Sequence, residues 1–154
     1  LTSGAYYSMG IALPLAIGAS ATEKDAQVIA ITGDGSIELN IQELRTLSQN
    51  NLDVKLFIIN NGGYASIRKS QDELVGGGRY TDDEEVLNFE NVAKAFELEF
   101  EILDNYETLI ADLATIFSKS GPVLIEVVCD SKQEIIEPFN LNYLLDQKND
   151  HKSD

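Results

Sequence analysis

The sequence predicts a doubly wound α/β domain: a mostly parallel sheet with helices on both faces. Three observations lead there. Short β-branched apolar runs recur at Gln27 to Thr32, Val54 to Ile59 and Val123 to Val128; stretches with helical spacing separate them; and the first two runs end at clusters of glycine or asparagine. Apolar residues at consecutive positions suit strands covered on both sides, as parallel sheets are. Strands alternating with helices argue for parallel order. A chain of 154 residues, 44% of them hydrophobic, is one ordinary domain with a sizeable core.

In chain order, Ser8 to Ala21 is rich in Gly and Ala and carries Ile11, Leu15 and Ile17, which predicts a closely packed helix. Proline inside a helix costs about 3 kcal/mol unless it occupies the first turn, so Pro14 sets the start near Leu13. The small residues suit tight packing. After the first strand, Ile41, Leu44 and Leu47 stand at helical spacing, and Asn40 with Glu43 fits a capping box. The Val54 to Ile59 strand leads to a short helix over Tyr64 to Gln71, in which Arg68 and Lys69 are either a solvated face or charges that draw an anionic substrate. Residues 72–85 join Gly76-Gly77-Gly78 to a run of acids with no hydrophobic period, predicting a loop, either a lid or a surface excursion. Asn88 caps a helix reaching towards Phe100 through Phe89, Val92, Ala93 and Phe96. A brief strand, Phe100 to Leu103, precedes an amphipathic helix over Tyr106 to Ser118, stopped by Gly121-Pro122 before the last strand. Past Asp130 the pattern fades, giving a domain over 1–130 and a partly disordered extension over 131–154. Because the chain begins at Leu1 and its one methionine is Met9, we expect a fragment or processed piece of something longer.

Composition excludes several functions. A net charge of −15 repels nucleic acid and anionic membrane surfaces. No signal peptide is visible and no apolar stretch reaches the roughly 20 residues of a membrane span. Cys129, the single cysteine, forms no internal disulfide and reads as core packing at a strand end, with a reducing cytoplasm as the setting. His151, the single histidine, lies in the polar end, which rules out a Ser-His-Asp arrangement or a histidine metal site. Neither a glycine loop followed by lysine nor a GxGxxG turn is present.

Two clusters remain: Gly33-Asp34-Gly35-Ser36 and Asn60-Asn61-Gly62-Gly63. Parallel strands joined by a helical crossover place Asp34 and Asn61 beyond neighbouring carboxyl ends, where open α/β sheets bind ligands. Either cluster alone is most often an ordinary turn or loop. Both at matching strand ends form a candidate site: an Asp carboxylate and an Asn amide oxygen suit Mg²⁺, which takes about six oxygens, and a diphosphate facing the Gly35 and Ser36 amides completes the shell.

The pair, with its separation, resembles the thiamine diphosphate motif, GDG followed some two dozen residues later by NN. The wider text GDGSIELNIQELRTLSQNNLDVKLFIINNGGYASIR is similar to the acetolactate synthase-like branch of that superfamily, and the likeness covers nearly the whole chain. The resemblance implies the thiamine diphosphate-binding fold, with Mg²⁺ held by Asp34, Asn61 and the Gly63 carbonyl. It implies a cofactor-binding set of Tyr7, Met9, Gly33, Asp34, Gly35, Ser36, Asn61, Gly63 and Tyr64, in which Met9 wedges the cofactor into its bent shape and the Tyr7 carbonyl meets the aminopyrimidine. It further implies a lyase or transferase that decarboxylates or ligates 2-keto acids. No catalytic residue is assigned, because the family's activating glutamate belongs to another domain; Glu38 and Glu43 lie on the crossover helix and are not taken for it. The expected partner is a pyrimidine-binding domain, in the same longer protein or on a separate subunit, within a homodimer or larger assembly. Ser70 stands where acetolactate synthases carry a tryptophan and Ile67 about where pyruvate decarboxylases carry a glutamate, so the acid is not named. The alternatives are the small subunit of a two-chain decarboxylase, a non-catalytic regulatory or binding module, and a flavodoxin-like phosphate binder needing no metal.

Overall fold

The computed structural model describes residues 8–23, 25–76 and 87–133. Four strands, β1 (Val28–Gly33), β2 (Val54–Asn60), β3 (Glu99–Leu103) and β4 (Val123–Val128), form one sheet in the order β1-β2-β4-β3, and every pairing is parallel. The helices are α1 (Ala12–Thr22), α2 (Asp34–Ile37), α3 (Leu44–Asn50), α4 (Ala65–Val75), α5 (Phe89–Ala95) and α6 (Leu109–Ser118), with a 3₁₀ segment, Glu38–Glu43, between α2 and α3.

Alternation along the strands divides the core between two faces. Val54, Leu56 and Ile58 of β2, with Ala30 and Leu124, meet Leu13 and Ala16 of α1, Ile37 of α2, Leu44 and Leu47 of α3, and Phe89 and Ala93 of α5. Phe57, Leu103, Val123 and Ile125 point the other way, against Ile116 of α6. Helices thus cover both faces of a parallel sheet, as the alternating pattern requires.

Several boundaries move for identifiable reasons. Pro14 lies in the first turn of α1, where its missing N–H is harmless. The Asn40–Glu43 capping box does not form: Asn40 leaves helical geometry (φ −139°), its amide donates to the Gly10 carbonyl at 2.9 Å, and Glu43 accepts instead from the Thr46 hydroxyl. Helix α4 runs on to Val75 and ends at Gly76 (φ +65°), so the first residues assigned to an irregular loop are helical; the rest of that loop, 77–85, lies outside the described residues. Helix α5 keeps its Asn88 cap, whose side chain accepts from the Asn91 amide, but stops at Ala95, before Glu97 turns left-handed at φ +59°. Cys129 is half-buried just past β4 rather than within the core. In the apolar run of β2, Lys55 is fully buried; its ammonium donates to Asp53 (2.5 Å) and to the Gly121 carbonyl (2.6 Å).

Candidate cofactor site

Register explains why the two clusters meet. Gly33 pairs with Ile59, so the turn after β1 and the loop after β2 leave the sheet side by side. Asp34, only 1% exposed, joins them: one carboxylate oxygen accepts the Asn61 amide (3.1 Å) and the Gly63 amide (2.7 Å), while the other accepts the Gly35 amide (2.8 Å). No ion pair reaches this carboxylate among the described residues. Asn60 shapes the loop from within, accepting from the Gly62 amide at 3.3 Å and donating to Glu126 at 2.6 Å. The half-buried Asn61 side chain makes no hydrogen bond among the described residues. Gly62 (φ +75°) and Gly63 (φ +99°) adopt left-handed backbone that a side chain would strain.

A second set of contacts brings in the segment before α1. The Ser36 hydroxyl accepts from the Gly10 amide at 2.8 Å, and Asn40 holds the Gly10 carbonyl. These bonds set Met9, 39% exposed, beside the GDGS turn. The Ser36 hydroxyl keeps its own hydrogen to donate. Tyr64 lies against Gly35 so closely that an added Cβ would stand 2.5 Å from the ring. Gly33 forms the extended N-cap of α2. Of the expected site residues, Tyr7 lies outside the described residues; Met9, Gly33, Asp34, Gly35, Ser36, Asn61, Gly63 and Tyr64 lie together at this edge.

The donor set is hard and oxygen-rich, one carboxylate with an amide and a carbonyl oxygen. Among the described residues no group of three His, Cys, Asp or Glu side chains is arranged for a metal. A cation here needs ligand oxygens as well as protein oxygens, which is how Mg²⁺ and a phosphate-bearing ligand bind together. On donor chemistry the residues fit a Mg²⁺-bridged diphosphate.

Over residues 1–127 the chain matches the family described as the thiamine pyrophosphate enzyme, C-terminal TPP binding domain. The chain belongs to this family. It is 37% identical over 136 residues to the acetolactate synthase isozyme 1 large subunit of Escherichia coli (strain K12), covering 88% of this chain and 24% of that protein. It is 32% identical over 137 residues to the acetolactate synthase large subunit of Lactococcus lactis, with the same shares, and 31% identical over 144 residues to the chloroplastic acetolactate synthase of Arabidopsis thaliana, covering 88% of the chain and 22% of the relative. This thiamine pyrophosphate enzyme domain therefore spans about a quarter of the length of these relatives. The family's cofactors are thiamine diphosphate and Mg²⁺. Among the described residues, no helix is long and apolar enough to cross a membrane.

Two residues of the domain work differently from their sequence-based reading. Arg68, weighed as a solvated or substrate-facing cation, is 8% exposed, and its guanidinium donates to the Gly62 carbonyl and, at 3.0 Å, to the Asn61 carbonyl. Asn40, read as a local cap, bonds 30 residues upstream. The only signal for either is position: Arg68 lies one helical turn after Tyr64, at the start of the helix that leaves the glycine loop.

Proposed function

We propose that this domain holds the diphosphate and Mg²⁺ of an acetolactate synthase-like enzyme that decarboxylates or ligates 2-keto acids in the cytoplasm. The observation that carries the reading is the joining of Gly33–Ser36 to Asn61–Gly63 through the buried Asp34 carboxylate. In this reading Asp34, the Asn61 side chain and the Gly63 carbonyl hold the ion. Gly35, Ser36 and Tyr64 line the diphosphate, and Met9 faces the ring system with Tyr7 upstream of it. When bound, thiamine diphosphate supplies the carbanion-stabilising centre that such chemistry needs. The chain's residues hold and orient it, and the hydroxyl of Ser36 donates to phosphate oxygen.

The domain supplies about half of a site. A pyrimidine-binding domain, from the same longer protein or a second subunit, brings the activating carboxylate, and the working unit is a homodimer or larger. Glu38 and Glu43 lie in the crossover and are not taken for that carboxylate; Glu43 accepts there from the Thr46 hydroxyl. Carbon dioxide release from pyruvate tests this: the chain with thiamine diphosphate and Mg²⁺ gives no turnover alone and gains it when a pyrimidine-binding domain is supplied. Turnover by the chain alone contradicts the division of labour.

A further inference from the structure

We propose that Arg68 is a positioning residue that fixes the Gly62–Gly63 peptide between two buried charges. The proposal rests on the cofactor reading above only for what the held loop, through the adjoining Gly63 carbonyl, presents to the ion. The carbonyl of this peptide accepts from the Arg68 guanidinium, and its N–H donates to Asp34 at 2.7 Å. One peptide unit thus lies between a cation 8% exposed and a carboxylate 1% exposed, with its dipole aligned to both. Hydrogen bonds to charged groups are roughly twice as strong as neutral ones, and low surrounding polarity strengthens them further.

The orientation needs such a device because the loop's own backbone does not choose it. Gly62 and Gly63, at φ +75° and +99°, have no Cβ to forbid a flipped peptide. A flip would turn the carbonyl towards Asp34 and the N–H towards Arg68, replacing two attractions by two repulsions. The second guanidinium contact, to the Asn61 carbonyl, extends the same hold across the residue whose amide also reaches Asp34. Arg68 is well placed for this, since helix α4 begins directly after the loop and its first turn bonds the Arg68 amide to the Tyr64 carbonyl at 2.9 Å. The forked guanidinium reaches two neighbouring carbonyls in one geometry, and a lysine ammonium in its place is a single point donor.

Amide hydrogen exchange by NMR, on the chain without cofactor, tests the proposal with Arg68→Lys and Arg68→Gln. Both variants are expected to speed exchange at Asn61 and Gly63 at least tenfold while Leu56 and Ile125 in the sheet keep their protection. Unchanged exchange at the loop overturns the proposal; so does equal acceleration at loop and sheet, which marks a residue that only supports the fold. In a separate arm, Mg²⁺ is titrated at saturating thiamine diphosphate, and both variants are expected to need about tenfold more ion than wild type. Loop exchange that responds to the variants, in a wild-type chain that binds no thiamine diphosphate with Mg²⁺, supports the hold on the peptide and removes the cofactor reading. Wild-type metal affinity in both variants overturns the presentation of the loop to the ion.

Discussion

Asp34 accepts three backbone N–H groups, one from its neighbour and two from residues 27 and 29 positions downstream. A buried donor left without a partner costs about 1–3 kcal/mol, and water reaches part of a loop that has lost its anchor. Asp34→Ala is therefore expected to lower stability by about 3 kcal/mol in urea unfolding, in addition to removing the carboxylate proposed to hold the ion; a loss below about 1 kcal/mol would show that the carboxylate does not organise the loops. Gly35 belongs to the same arrangement. A Cβ there would stand 2.5 Å from the Tyr64 ring, so Gly35→Ala must displace the ring or the turn, at about 1–3 kcal/mol for overpacking. In a Tyr64→Leu background the same glycine change is expected to cost less than half as much, and equal costs in the two backgrounds would locate the strain elsewhere.

Elements that answer to local chemistry are legible in the sequence. The strand from Val123 to Val128 follows directly from a β-branched run behind Gly121-Pro122, and the Asn88 cap follows from side-chain chemistry within one turn. The crossover is less legible because its outcome is tertiary: Asn40 can cap a helix or bond Gly10, and the fold brings Gly10 within 2.9 Å. The same holds for Lys55 and Arg68, whose buried partners are carbonyls that no sequence pattern marks. Asp34 and Asn61 were legible because register alone places them together. One titrating link joins β3 to the end of α6. Lys119 bonds Glu101 and, at 3.0 Å, Glu99, and these bonds, Glu101 first, raise its pKa above the ordinary lysine value. A raised pKa means that the bond's stabilisation, under about 1 kcal/mol for so exposed a pair, is complete below about pH 10 and is lost as pH rises through the folded-state value. The stability difference between wild type and Lys119→Met is accordingly expected to stay constant from pH 6 to 9 and to shrink above pH 10.5; a difference that grows there would contradict the assignment.

At the scale of the whole molecule, a net charge of −15 opposes an anionic cofactor, so binding must come from local groups. The parallel sheet supplies the place for them, bringing one carboxylate, two amide-bearing loops and Gly10 to a single edge. The other face of β1 leaves Ile29 and Ile31 exposed at 55% and 65%, with α6 lying over the remaining strands. Relatives about four times as long as the matched region have further chain, and our reading assigns the rest of the active site to it. The central claim is that Mg²⁺ overcomes the unfavourable global charge at Asp34 and Asn61. Calorimetric titration of thiamine diphosphate, with Mg²⁺ and then with EDTA, tests it most directly, first on this chain and then on the chain joined to a pyrimidine-binding domain. The account predicts binding that requires Mg²⁺, weak in the chain and stronger in the joined protein, and lost in Asp34→Ala. Binding of equal strength in EDTA, binding retained without Asp34, or no binding by either protein would contradict it.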